Sequence, residues 1–213
     1  MTDHESSPIN SRHHNRIKAL QSDVVEWRRD LHAHPEIGFE EIRTSAIVAK
    51  KLREFGVDEV ITGMAATGVV GIVHGQGPGP TIGLRADMDA LPMQEHNDLP
   101  YRSGTDGVMH ACGHDGHTAM LLGAAKLLAE ARDFNGSVAV IFQPAEEGGG
   151  GARVMVEEGL FSQADCQSVW GLHNWPELPL GTFCALAGPV MAGIDYFDTV
   201  SYTHLTLPTT PYV

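Results

Sequence analysis

The sequence has 213 residues, enough for one hydrophobic core or for one domain and part of a second. Acidic residues outnumber basic ones 27 to 14, a net charge of −13 with no Lys/Arg run, which excludes a surface for nucleic-acid phosphates. The first twenty residues lack a signal-peptide core, no stretch is long enough to span a bilayer, and the three cysteines are too scattered for a disulfide framework, so a soluble cytoplasmic protein is expected.

Residues 1–12 are polar, contain Ser6-Ser7-Pro8 and predict a loose terminus, to which His4, His13 and His14 are assigned. Ile17, Leu20, Val24, Trp27 and Leu31 recur at helical spacing and predict an amphipathic helix that stops near Pro35. His32 and His34 fall at its end, where capping of the last carbonyls explains them better than metal ligation. A second helix is expected over residues 44–55, with Ile42, Ala46, Ala49, Leu52 and Phe55 on one face and Gly56 as its stop.

Two β-rich runs follow at 68–74 and 81–86, joined by Gly75-Gln76-Gly77-Pro78-Gly79-Pro80, which reads as a hairpin loop. Its prolines lack amide donors and no helix opens after it, so it is not a phosphate cradle. The second run delivers Asp87 and Asp89, and open α/β sheets place their chemistry at the carboxyl ends of strands. An Asx turn ahead of Pro92 explains either aspartate alone equally well.

The densest stretch is Met109-His110-Ala111-Cys112-Gly113-His114-Asp115-Gly116-His117-Thr118. Thiolate and imidazole are the usual zinc donors, and the Cys-x-His spacing lets both reach one face of a turn. A small buried thiol explains Cys112 by itself, so the metal reading depends on ligands from other segments. A helix is expected from His117 or Thr118 to about Arg132, with Leu121, Ala124, Ala125, Leu128 and Ala131 packing on a sheet.

The apolar run at 137–142 predicts a strand covered on both faces, and it leads into Gln143-Pro144-Ala145-Glu146-Glu147 and four glycines. Adjacent side chains diverge, so one carboxylate can hold a metal while its neighbour faces a substrate. A short helix at 152–158 and a strand at 167–172 come next, the latter ending at His173-Asn174-Trp175-Pro176. Residues 182–186 look strand-like, Gly188-Pro189 marks a domain junction, and 194–200 alternates like a further strand. No charged residue occurs between Thr199 and Val213; residues 201–213 read as foreign or frame-shifted sequence, and His204 within them is given no role.

Together Asp87, Asp89, Cys112, His114, Glu146, Glu147 and His173 supply both ligands and a base for a pair of divalent ions that activates water. In Arg28-Arg29-Asp30-Leu31-His32 with Pro35-Glu36, in residues 84–92, 109–118 and 142–151, and in His173-Asn174-Trp175-Pro176, the sequence resembles the metal-dependent N-acyl-amino-acid amidohydrolases. These are the hippurate hydrolases, bacterial aminoacylases and plant indole-acetyl-amino-acid hydrolases. The resemblance implies an α/β fold: a zinc-aminopeptidase-like three-layer catalytic domain with a mixed central sheet, interrupted by a lid and dimerisation domain. On that basis residues 1–187 are the N-terminal part of the catalytic domain, 188–200 begin the lid, and 201–213 are an aberrant tail.

The resemblance also assigns roles: Cys112 as bridging ligand, His114, Glu147 and His173 as further ligands, Glu146 as general base, Asp89 as orienting carboxylate. It implies two divalent ions (Zn, Mn, Co or Ni), the second held weakly because four protein ligands are few for two ions. The expected partner is a small N-acyl amino acid, with neither nucleic acid nor membrane, and full-length members are homo-oligomers. The lid, its histidine and a last metal-binding histidine are not recognisable in the sequence, so a C-terminally truncated and poorly active chain is expected. The competing readings are a non-catalytic zinc-binding fragment and a dipeptidase or carboxypeptidase of the same broader fold.

Overall fold

The computed structural model describes residues 8–191. Five helices and five strands follow one another along it: α1 (Pro8–Ala33), α2 (Ile42–Glu54), β1 (Glu59–Met64), β2 (Gly68–His74), β3 (Gly77–Asp87), α3 (His114–Ala131), β4 (Asn135–Gln143), α4 (Gly151–Glu157), α5 (Leu160–Ala164) and β5 (Cys166–Gly171). Contacts divide the chain into two units, Met1–Asn174 and Trp175–Val213, and the first contains all of these elements.

Helix α1 begins earlier than its periodicity predicts. Pro8, whose fixed φ suits a first helical position, opens it, so His13 and His14 are helical rather than part of a loose end. His4 lies outside the described residues. Leu20 and Leu31 are buried and Ile17 is exposed; Gly123 on α3 faces Leu20 and Val24, and a Cβ there would come within 3.0 Å of the Val24 side chain. As expected of a capping histidine, His34 donates from Nδ1 to the Asp30 carbonyl at 2.8 Å.

The start of α2 is capped from a distance: the Glu36 carboxylate accepts the amides of Arg43 and Thr44 at 2.9 and 2.8 Å. The buried stripe is Thr44, Val48, Ala49 and Leu52, whereas Ile42 and Ala46 face solvent. The expected face is therefore rotated. Spacing of four from Thr44 sets the sheet-facing line, and Ile42 sits half a turn away in the first turn.

The sheet order is β1-β2-β4-β3-β5, with β1–β2 and β2–β4 antiparallel and β4–β3 and β3–β5 parallel. This corrects the expected β2–β3 hairpin, because β4 lies between the two runs. The reason is burial. Strand β4 has two apolar faces, and only a central position covers both. Its Val138, Val140 and Phe142 pack with Leu52, Leu122 and Ala125, while Ala139 and Ile141 pack with Met155, Leu160 and Ala164. The result is a three-layer α/β arrangement with a mixed sheet, α2 and α3 on one face, α4 and α5 on the other, and α1 outside α3.

Strand β1, unforeseen from sequence, is the hairpin partner of β2, joined to it across Ala65 and Ala66, both with positive φ. Residues 182–186 form no strand. Alternation there lacks a partner ladder, and period alone does not make a strand. The strand expected at 194–200 and the tail 201–213 fall outside the described residues. Among the described residues, no helix is long and apolar enough to cross a membrane.

Candidate metal centre

Three parallel strands, β4, β3 and β5, end side by side, and the predicted site residues follow them. Asp87 and Asp89 come after β3, Glu146 and Glu147 after β4, His173 after β5, and His114 opens α3 above the same edge. Gly113 makes that entry possible. Its φ is +91°, and a Cβ there would meet Asn174 Oδ1 at 2.6 Å, so both the turn and the space require glycine.

His114 is fully buried. Its Nδ1–H donates to the Asp89 carbonyl at 2.9 Å, with Asp89 Oδ1 at 3.2 Å, which turns Nε2 toward the strand ends. That Nε2 has no hydrogen-bond partner. It faces Asp87 Oδ2 at 3.6 Å, Glu147 Oε1 at 3.8 Å and Glu146 Oε2 at 3.9 Å. Cys112 Sγ lies 3.4 Å from His173 Nε2, and His173 Nδ1–H donates to the Asn174 carbonyl at 2.7 Å. Two groups of ligand atoms, Cys112/His114/His173 and His114/Glu146/Glu147, thus share one imidazole, each group with its atoms within 4.8 Å of one another. Buried polar atoms are almost always paired, and here the orphaned Nε2 and the orphaned Glu147 Oε1 point at one another. This donor set, imidazole, thiol and carboxylate around a common point, fits a divalent transition-metal ion.

Asp89 links the layers of the site: Oδ1 meets the His114 ring and Oδ2 accepts the Glu147 amide at 2.9 Å. In a third group, Asp87/His114/His117, the aspartate and His117 are committed elsewhere. Asp87 Oδ1 takes His117 Nδ1 at 2.6 Å, Oδ2 takes Arg85 at 2.8 Å, and its backbone carbonyl accepts Thr118. His117 Nε2 in turn meets Asn174. This chain fixes α3 against the ends of β3 and β5, and the sequence reading assigned none of it beyond Asp87. The available signal was spacing: His117 sits three residues after His114, on the same side of the helix.

The electrostatics describe an excess of negative charge. Burial would raise Asp87, yet its His117 hydrogen bond and the charges of His114 and Arg85 hold it at about 2. Burial also opposes the ionised form of Asp89, and there too the His114 hydrogen bond and the amides of Glu147 and Glu146 win. Glu146 is raised, by burial first and then by the Glu147 charge. The Cys112 thiol is pushed up to about 12 by burial and by Glu147, Glu146 and Asp87. His114 is raised: burial favours its neutral form, but the Asp89 bond and surrounding carboxylates outweigh it. A bound cation would relieve this crowding of carboxylates. Beside Asp89 and Glu147 opens a cavity of about 190 Å³ lined by Ile37, Gly38, Ala90, Pro92 and Gly149.

His32, the other histidine weighed as a ligand, is engaged elsewhere, between Asp115 Oδ2 at 2.8 Å and Glu95 Oε1 at 3.2 Å, with Arg28 on the same Asp115 oxygen at 2.9 Å.

Both the sequence and the fold match known proteins. The model for peptidase family M20/M25/M40 matches residues 83–208, from within β3 into the charge-free stretch that begins at Thr199. The chain belongs to peptidase family M20/M25/M40. Within it, the chain is 49% identical over 182 residues to a hippurate hydrolase of Campylobacter jejuni, covering 85% of this chain and 47% of that protein. It is 44% identical over 184 residues to an N-acetylcysteine deacetylase of Bacillus subtilis, covering 86% and 48% respectively. Among M20 structures it superposes on the YXEP protein of Bacillus subtilis, described as a dinuclear metal-binding peptidase, with a TM-score of 0.73 at 44% identity. That match covers 77% of this chain and 46% of the other. The chain spans about half the length of the curated relatives it matches.

Proposed function

We propose that this chain carries the metal-binding part of an M20 amidohydrolase that cleaves the amide bond of N-acyl amino acids. The observation that carries the reading is the buried, unpartnered His114 Nε2, faced by three carboxylates with Cys112 and His173 alongside. The similarity to a hippurate hydrolase and to an N-acetylcysteine deacetylase supports the N-acyl amino acid as substrate class.

Cys112, His114, Glu147 and His173 would hold two divalent ions, Zn, Mn, Co or Ni. When bound, such ions lower the pKa of water and polarise a carbonyl oxygen. Glu146 is the proton carrier. Partly exposed and raised above an ordinary glutamate, it takes the proton of the attacking water and returns it to the departing amine. Asp89 holds the His114 ring and the Glu147 amide in register. The products are a carboxylic acid and a free amino acid. In this scheme residues 1–187 belong to the catalytic domain and 188–200 begin a lid domain.

Metal stoichiometry tests the reading: the stripped chain is reloaded with zinc or manganese, freed of excess, and compared with Cys112→Ala. Close to two ions per wild-type chain, lost in the variant, supports the two-ion centre; one or none means that the second site is too weak to keep its ion in this chain. One ion retained in the variant would replace the two-ion reading with a simpler closed zinc site that does not need the Cys112 thiolate.

A further inference from the structure

The segment that leaves α1 runs beneath the metal centre and touches it at four successive points. The Glu36 carbonyl accepts the Ala90 amide at 2.8 Å, next to Asp89. Gly38 lies under Ala145, where a Cβ would come within 2.9 Å of the Ala145 methyl. Phe39 packs against Gly149, whose own Cβ would meet its ring at 2.7 Å. Glu41 ends the segment. It is fully buried, accepting the Ala145 amide on Oε1 at 2.8 Å and the Thr67 hydroxyl on Oε2 at 2.5 Å.

Ala145 immediately precedes Glu146 and Glu147 and has φ +50°, a left-handed conformation that alanine rarely adopts. Such a conformation persists only where its surroundings over-determine it, and the Glu41 carboxylate is the polar group that fixes its amide. We propose that Glu41 is a positioning residue for the Glu146-Glu147 pair: by holding the Ala145 amide it sets the direction in which the two carboxylates leave β4. Resting on the metal reading above, the inference adds a third carboxylate layer: Glu147 at the ion, Asp89 on the Glu147 amide, Glu41 on the Ala145 amide. Thr67 ties the same carboxylate to the β1–β2 turn, so the site is braced from the far strands of the sheet as well.

The geometry separates reach from charge. Glu41→Gln keeps an oxygen at the right distance for Ala145 and turns an amide toward Thr67, whereas Glu41→Asp keeps the charge and falls one methylene short. Two measurements on this chain decide the matter: zinc affinity by chelator competition, and hydrogen-exchange protection of the Ala145 amide in the metal-free protein. Glu41→Asp should lose about tenfold in zinc affinity, the lower end of what supporting groups of metal ligands contribute, and lose Ala145 protection with it. Glu41→Gln should keep both near the wild-type values. Loss of protection in Glu41→Asp with zinc affinity unchanged overturns the positioning role, as does an equal loss of affinity in both variants. Should Glu41→Asp fail to fold, Thr67→Val tests the brace from its other end and should weaken zinc binding by a smaller factor; no change would overturn the proposal. A wild-type chain with a protected Ala145 amide and no zinc binding overturns the metal reading itself.

Discussion

Nε2 of His114 lies 3.8 Å from Oε1 of Glu147, and neither atom has a hydrogen-bond partner although both are buried. Two desolvated lone pairs facing each other at that separation are unfavourable in isolation and complementary around an ion. Zinc at about a hundredfold excess over its dissociation constant should therefore stabilise the chain by about 2.7 kcal/mol, which for a domain of this size raises the thermal midpoint by about 5–10 °C. Glu147→Gln should abolish most of that rise. Differential scanning fluorimetry with and without a chelator measures both.

Glu146 sits at the exposed side of the same cluster, its carboxylate 3.9 Å from His114 Nε2. Glu146→Gln should keep metal stoichiometry while lowering hydrolysis of hippurate by about 10²–10⁴-fold, the contribution usual for a positioned acid–base group. Metal analysis and turnover on one preparation check the split. Loss of both together would make Glu146 a ligand instead.

Gly113→Ala probes the backbone rather than the ligands. With φ at +91° and Asn174 2.6 Å from any Cβ, the substitution should destabilise the chain by about 1–3 kcal/mol in urea unfolding. It should also weaken zinc binding, because Asn174 must shift and His173 and His117 are bonded to it.

The buried His32 cluster should give a pH signature of its own. His32 is raised from 6.5, first by its hydrogen bond to Asp115 and against its own burial, with Glu95 adding to it. Its contribution to stability is thus complete below 6.5 and is lost as pH rises through the raised folded value. Asp115 and Glu95 are lowered from 3.8 and 4.5, against burial, by hydrogen bonds that include His32, so their share disappears as pH falls through the lowered values. Arg28 neutralises the remaining Asp115 charge, Tyr101 packs edge-on to the ring, and burial holds the neighbouring His110 at about 4 and hence neutral. The stability lost in His32→Gln should be greatest between about pH 5 and 6.5 and shrink on either side. Urea unfolding of both proteins across pH 3–9 would show it; a pH-independent difference would mean that His32 acts through packing alone.

The convergence of Asp89, Glu146, Glu147 and His173 was legible because each stands just past a strand, and parallel strands bring their carboxyl ends together, while Cys112 and His114 stood out by their spacing at the start of a helix. Glu41 was not legible. It reads as one glutamate of several at the start of a surface helix, and only the packing of Gly38 and Phe39 under the loop turns it inward. His117 was seen only as a helix start, since nothing local pairs it with Asp87, thirty residues away. Strand order failed for a related reason: a glycine- and proline-rich connection looks the same whether its flanking strands are neighbours or straddle a third, and β4 enters the sheet forty-eight residues after β3 ends. The face of α2 was misjudged because its first turn is fixed by Glu36, a residue outside the helix.

The stretch from Met109 to Thr118 holds three histidines and a cysteine, yet of these only Cys112 and His114 belong to the two groups around the unpartnered Nε2, and the other donors of those groups arrive from the ends of β4 and β5. A synthetic peptide of those ten residues should accordingly hold zinc far more weakly than the folded chain. In zinc fingers the ion organises the polypeptide; here the sheet has to exist before the ion has anywhere to go, so metal uptake should follow folding and leave its rate unchanged.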